Sequence, residues 1–157
     1  PGVTTVPYFD NQGAANEGGS APVAQPDVQT YCARQSDGDF HRNNGSTSDT
    51  TTSWTGLSSW STGDIIGIRM NLDDQTFSLA INNSWADDQT IIANEWFTPS
   101  IAAYVSGVIE FNFGNGYFGT TAITSPSADE AGYGAFKYAP PTGYYSLCTN
   151  NLKTYGG

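Results

Sequence analysis

Basic residues are the scarcest resource of this chain: five Lys and Arg stand against 15 Asp and Glu among 157 residues, a net charge of −10. A phosphate backbone demands clustered Lys and Arg, so nucleic acid is excluded as a partner, and an anionic membrane surface with it. The acidity reads as solubility, with an acidic site for a specific cationic ligand as the competing explanation. Histidine occurs once, methionine once and cysteine twice. That supply rules out a Cys/His zinc centre and the dense disulfide framework of a small secreted domain. Long apolar runs are also missing, none approaching the ~20 residues that span a bilayer, so no membrane insertion is predicted. Strong helix formers are few, whereas Gly, Ser, Thr, Asn and aromatic residues dominate, which predicts strands and loops.

What is present is period-two patterning. In the stretch 64–72, Ile66, Ile68, Met70 and Leu72 fall on one face and Gly67, Arg69 and Asn71 on the other. Asp73, Asp74 and Gln75 make a turn, and Phe77, Leu79 and Ile81 return along the same inner face, predicting an antiparallel hairpin. Further strands are predicted over 4–8 and 28–33. A later pair spans 97–104 and 108–113, with Ile109, Phe111 and Phe113 inward and Glu110 outward. Polar, turn-rich loops are expected over about 10–27, 36–53, 82–95 and 114–134. The predicted core holds Ile66, Ile68, Met70, Phe77, Leu79, Phe111 and Phe113, with Arg69 more exposed; Phe111→Ala should then cost about 3–5 kcal/mol. Several short strands without an intervening helix pattern argue for one all-β domain over 1–157, an antiparallel β-sandwich.

The chemistry of catalysis is thin. The single His41 sits in a polar stretch far in sequence from either cysteine, and no Gly-x-Ser-x-Gly elbow occurs. Asp64 and Asp73 bound the hairpin as turn formers, and Glu110 faces outward, so a paired-carboxylate site is not predicted. Asp37-Gly38-Asp39 and Asp87-Asp88 do not fit the twelve-residue calcium loop and read as acidic turns. The expectation is therefore no enzyme, no cofactor and no metal. Aromatic and Arg side chains on polar loops are the usual equipment of recognition, which marks Phe40, His41, Arg42 and Trp85 as binding candidates. Trp85 has local packing as its competing explanation.

Three segments carry a resemblance. They are Gly63-Asp64-Ile65-Ile66-Gly67 with Leu72-Asp73 and the strand 77–82; Phe97-Thr98-Pro99-Ser100-Ile101 with Glu110-Phe111-Asn112-Phe113-Gly114; and Phe136 through Pro140-Pro141-Thr142-Gly143-Tyr144 to Leu147-Cys148-Thr149-Asn150-Asn151-Leu152. Their order over residues 28–152 resembles the C-terminal two-thirds of an SPRY domain, a concanavalin-like sandwich, and most closely the version in bacteriophage tail and fibre proteins. Asn82-Asn83 stands where the family has Asn-Gly, an insertion separates Gly114 from Phe136, and the strands that normally precede this region are absent. The resemblance implies a sandwich incomplete at its N-terminal side. It also implies a virion component, made in the host cytoplasm, in a tail fibre, a head fibre or a surface decoration. Its partners would be other virion proteins, copies of itself, or a host-surface protein or glycan. A reducing cytoplasm implies that Cys32 and Cys148 are free thiols, a single bridge between them being the alternative. The rival readings are a carbohydrate-binding lectin-like domain and a purely structural spacer.

Overall fold

A computed structural model describes residues 2–5, 29–33, 38–44, 50–92, 97–100 and 107–155. Among these residues the chain is all-β: antiparallel sheets with one short helix. It divides into two compact units, Pro1–Gly107 and Val108–Gly157.

In the first unit the strands are β1 (Gly2–Thr5), β2 (Gln29–Ala33), β3 (Phe40–Asn44), β4 (Thr50–Thr52), β5 (Ile66–Asn71), β6 (Thr76–Ile81), β7 (Ser84–Trp85), β8 (Gln89–Thr90) and β9 (Phe97–Ser100). One sheet has the order β4-β3-β2-β1-β9, so β1 lies between β2 and β9. The other is β5-β6-β7, with β8 also paired to β6.

The β5–β6 hairpin forms as expected, with Ile68 opposite Leu79 and Met70 opposite Phe77, but Leu72, expected on the inner face, lies in the turn and is exposed. Its turn is fixed by Asn71, whose Oδ1 accepts the N–H groups of Asp73 and Asp74 at 3.0 Å. The tight turn from β6 to β7 uses Asn82 and Asn83, both at positive φ (48° and 73°). Two successive left-handed residues are what a two-residue hairpin loop requires, and Asn adopts that region more readily than other non-glycine residues.

Both sheets contribute to one aromatic core. Tyr31 and Phe40 come from the first sheet and Phe77 and Leu79 from the second, with Trp54 and Leu57 from the connection between them. Phe77 sits at the centre, its ring centroid 5.2 Å from Trp54 and 6.1 Å from Tyr31 and Phe40. The Tyr31 hydroxyl is satisfied by accepting the Ile92 N–H at 2.9 Å.

Three expectations are corrected in this unit. The stretch 36–53 is not one loop, since it carries β3 and β4, with Phe40 in the core. The stretch 82–95 contains β7 and β8. Burial does not follow alternation throughout: Phe77 and Leu79 are fully buried, Ile66 and Met70 are half-buried, and Ile68 is 37 % exposed. Period two tells which residues share a face, while burial depends on how far along the strand that face is covered.

The second unit has little regular structure. A short hairpin joins β10 (Tyr117–Phe118) to β11 (Thr121–Ala122), Ser127 bridges Phe136, and α1 (Thr149–Tyr155) follows. The stretch 114–134, expected as a loop, thus holds a hairpin. Residues 108–113, expected as a core strand, form no assigned strand, and Phe111 and Phe113 are each half-exposed (50 %) while Glu110 is exposed as expected. Their rings stack on each other instead, 5.8 Å apart and nearly parallel. Gly114 (φ 99°) lets this segment approach its neighbour closely: a Cβ there would lie 3.0 Å from the Gly134 Cα.

Candidate functional site

Trp85 shows how a predicted binding residue is placed. Across the ladder Gly67 faces Ala80, Arg69 faces Ser78, and Ala80 faces Trp85, so these side chains share the face of the sheet opposite the aromatic core. Between the pairs Ala80–Trp85 and Phe77–Gln89, β6 has two intervening residues and the opposing strand three. That extra residue is a β-bulge, and it turns Trp85 to one face of the sheet and Gln89 to the other. The Arg69 guanidinium lies 4.7 Å from the centroid of the indole, and its Nη2 donates to Asp88 Oδ1 at 2.9 Å. This packing leaves Arg69 half-buried rather than exposed as expected, and it buries Ser78 and Ala80 on the same face. The Ser78 hydroxyl is satisfied by donating to the Ala86 carbonyl at 2.7 Å.

The glycine in β5 makes this possible. A Cβ on Gly67 would stand 3.3 Å from the Trp85 ring and 3.5 Å from the Ala80 Cβ. Gly67→Val is expected to push the indole off the sheet at a cost of about 1–3 kcal/mol, the usual range for overpacking. Denaturant melts and a shift of tryptophan emission measure it; an unchanged melt shows that the indole is not seated there.

The four binding candidates do not assemble into one surface among the described side chains. Phe40 is a core residue, 7 % exposed, stacked edge-on to Trp54 at 5.3 Å. His41 and Arg42 lie in β3, opposite Cys32 and Tyr31 of β2, and their side chains lie outside the described residues. Trp85 is half-buried beneath Arg69.

A cluster that the sequence reading missed lies in the second unit. Asp129 is buried, and its Oδ1 accepts the Tyr133 N–H at 2.8 Å. Its Oδ2 accepts the Ser146 N–H at 2.8 Å, the Ser146 hydroxyl at 2.7 Å and the Asn151 amide at 2.7 Å. Desolvation acts to raise this pKa, but the donors, led by the Ser146 backbone, outweigh it and hold the carboxyl well below the usual carboxylate range. Asn151 Nδ2 also donates to the Ser146 carbonyl at 2.9 Å, while its Oδ1 has no partner among the described residues. The amide is thus oriented by the carboxylate's demand for donors, at a cost of about 1–3 kcal/mol for the stranded oxygen. The one signal for this cluster was the ending Leu147-Cys148-Thr149-Asn150-Asn151-Leu152, which was read for its resemblance and not for its polarity.

Cys148 borders the cluster. Its carbonyl accepts the Leu152 N–H at 2.9 Å, the first bond of α1, and its Sγ lies 3.4 Å from Ser146 Oγ. It is a free thiol, as expected; the Cys32 side chain lies outside the described residues. Contact with Ser146, then with the Asn151 backbone N–H, moves the thiol pKa below its ordinary value. Iodoacetamide labelling of Cys148 against pH is expected to show a midpoint below that of cysteine in an unfolded peptide. A midpoint at or above the peptide value contradicts the arrangement.

Two acids of the β5–β6 hairpin are occupied structurally. Asp64 accepts the Ser61 N–H at 2.7 Å and the Asn82 amide at 2.7 Å, which lowers its pKa, and Asp74 accepts the Asn71 amide at 2.8 Å. Among the described residues no three His, Cys, Asp or Glu side chains gather as a metal site, and no helix is long and apolar enough to cross a membrane. Comparison with known proteins finds no matching family model, no matching curated protein and no matching solved structure.

Proposed function

We propose that this chain is a non-enzymatic module of a bacteriophage virion, part of a tail fibre, a head fibre or a surface decoration, built as an SPRY-type sandwich. The observation that carries the reading is the use made of the phage-like ending. Its Asn151, together with Ser146 just before it, closes on Asp129, and its Cys148 starts α1, so this segment serves to fasten the chain. The sandwich is supported by the core of the first unit, which draws aromatic and aliphatic side chains from two sheets. The non-enzymatic character is supported by the acids Asp64, Asp74, Asp88 and Asp129, each engaged by neighbouring donors.

The placement of Phe40 in the core and of Trp85 beneath Arg69 favours a structural or subunit-contact role over adhesion through the 36–53 and 82–95 stretches. The test is location. Particles purified through a density gradient are expected to retain the chain at a fixed stoichiometry, with antibody labelling on the particle surface or tail. A chain found only in the soluble fraction of the lysate sinks the reading.

A further inference from the structure

Among the described residues, hydrophobic burial is confined to one unit. The buried hydrophobic side chains run from Tyr31 to Ile91, whereas the buried residues of the second unit are Asp129, Ser146 and Asn151, all polar. Of ten exposed large hydrophobic residues, eight belong to the second unit, with Val108 87 % exposed and Leu152 53 % exposed. In a unit of 50 residues, one polar cluster and half-buried side chains such as Phe118, Ile123 and Phe136 leave little to offset the ordering entropy while eight large apolar side chains stay exposed.

These side chains stand on neighbouring segments. Phe111 and Phe113 stack as parallel, half-exposed rings. The backbone beside them is strapped to residues 133–136: the Asn112 amide donates to the Ala135 carbonyl at 2.9 Å, and the Ala135 N–H donates to the Gly114 carbonyl at 3.0 Å. Tyr133, 41 % exposed, lies on that second segment, and Tyr117, 47 % exposed, follows on the first. Exposed aromatic side chains on segments strapped together in this way mark a candidate contact surface.

Charge decides what covers it. Of the chain's 15 acidic and five basic residues, the second unit holds three and two. With Asp129 buried, its exposed charges are Glu110 and Glu130 against Lys137 and Lys153, equal in number and opposite in sign. The rest of the chain is strongly acidic, and two copies repel wherever that part faces itself. The second unit is the one region where a copy can approach another without a like-charge penalty and with a Lys available to meet a Glu. An interface between two-fold related copies must be self-complementary in this way.

We propose that a second copy of this chain docks on the face carrying Phe111, Phe113, Tyr117 and Tyr133, through the same face of its own second unit. This deepens the virion reading by naming the contact, yet the two fail separately. Sedimentation of the intact chain over a wide concentration range is expected to give a mass that is a multiple of 16.7 kDa. The double variant Phe111→Ser/Phe113→Ser is expected to raise the dissociation constant at least about tenfold, as for loss of central aromatic anchors. Unchanged tryptophan emission, all four Trp belonging to the first unit, shows that this unit stays folded in the variant. A wild-type chain that stays monomeric at every concentration overturns the proposal, as does an oligomer that the double variant leaves intact. Either result leaves a particle-bound chain untouched, and a chain missing from particles leaves the self-association untouched.

Discussion

Phe77→Ala is expected to remove about 3–5 kcal/mol of stability, the range for deleting a fully buried phenyl ring. The residue has no exposed surface and meets Tyr31, Phe40 and Trp54, so three rings lose contacts at once and cannot all move into the space. Trp54, 5.2 Å away, reports the loss directly in fluorescence-detected denaturant melts. Phe111→Ala is the control: its half-exposed ring is expected to cost about 1 kcal/mol or less in the dilute, dissociated chain. Equal costs at the two positions would mean that the two rings are equally buried, against the structure.

Asp129→Ala is expected to cost about 3–5 kcal/mol within the second unit, because it removes the charged acceptor of the Ser146 hydroxyl and two backbone N–H groups and one of the acceptors of the Asn151 amide. The pH dependence follows from the direction of the shift. A carboxyl whose folded pKa lies below its unfolded value near ~3.9 contributes its full stabilisation above that value. The contribution falls away as pH drops toward the folded pKa. The protection of peptides spanning 127–152, taken relative to the intrinsic exchange rate at each pH, is therefore expected to hold steady near neutrality and to fall below about pH 4. In Asp129→Ala the same peptides are expected to lack this protection at every pH. Protection that ignores both the substitution and the acid would remove Asp129 from the centre of this unit.

The contrast between these two centres explains what was legible in the sequence. The β5–β6 hairpin was readable because its information is local: alternating Ile, Met, Phe and Leu with a polar turn specify pairing and face within eighteen residues or so. The all-β class was readable from composition for the same reason. Phe40 was misread as a loop residue because its neighbours Asp37, Gly38 and Asp39 are turn formers, and because a strand's worth rests on its partners. Phe40 is held by the pairing of β3 with β2 and by Trp54, none of which its own segment reveals. Trp85 required knowing that Gly67, eighteen positions earlier, leaves a vacancy for an indole. Asp129 was invisible because an acid in a polar stretch is ordinarily solvated. Its three-dimensional donors lie 4, 17 and 22 positions away, a spacing that no period marks.

The position of β1 between β2 and β9 also orders events in time. Gly2 pairs with Ser100 across 98 residues, whereas Asp129 finds Asn151 across 22. Closing the longer loop costs more chain entropy, and pairings of high sequence separation are the slow ones. The hairpin of β5 and β6 and the clasp at Asp129 close much shorter loops and do not depend on that join. The five-stranded sheet must wait with an open edge until β9 reaches β1. During that interval β1 offers unpaired backbone to any neighbouring chain, and a newly made population is most prone to exchange strands before this one join is complete.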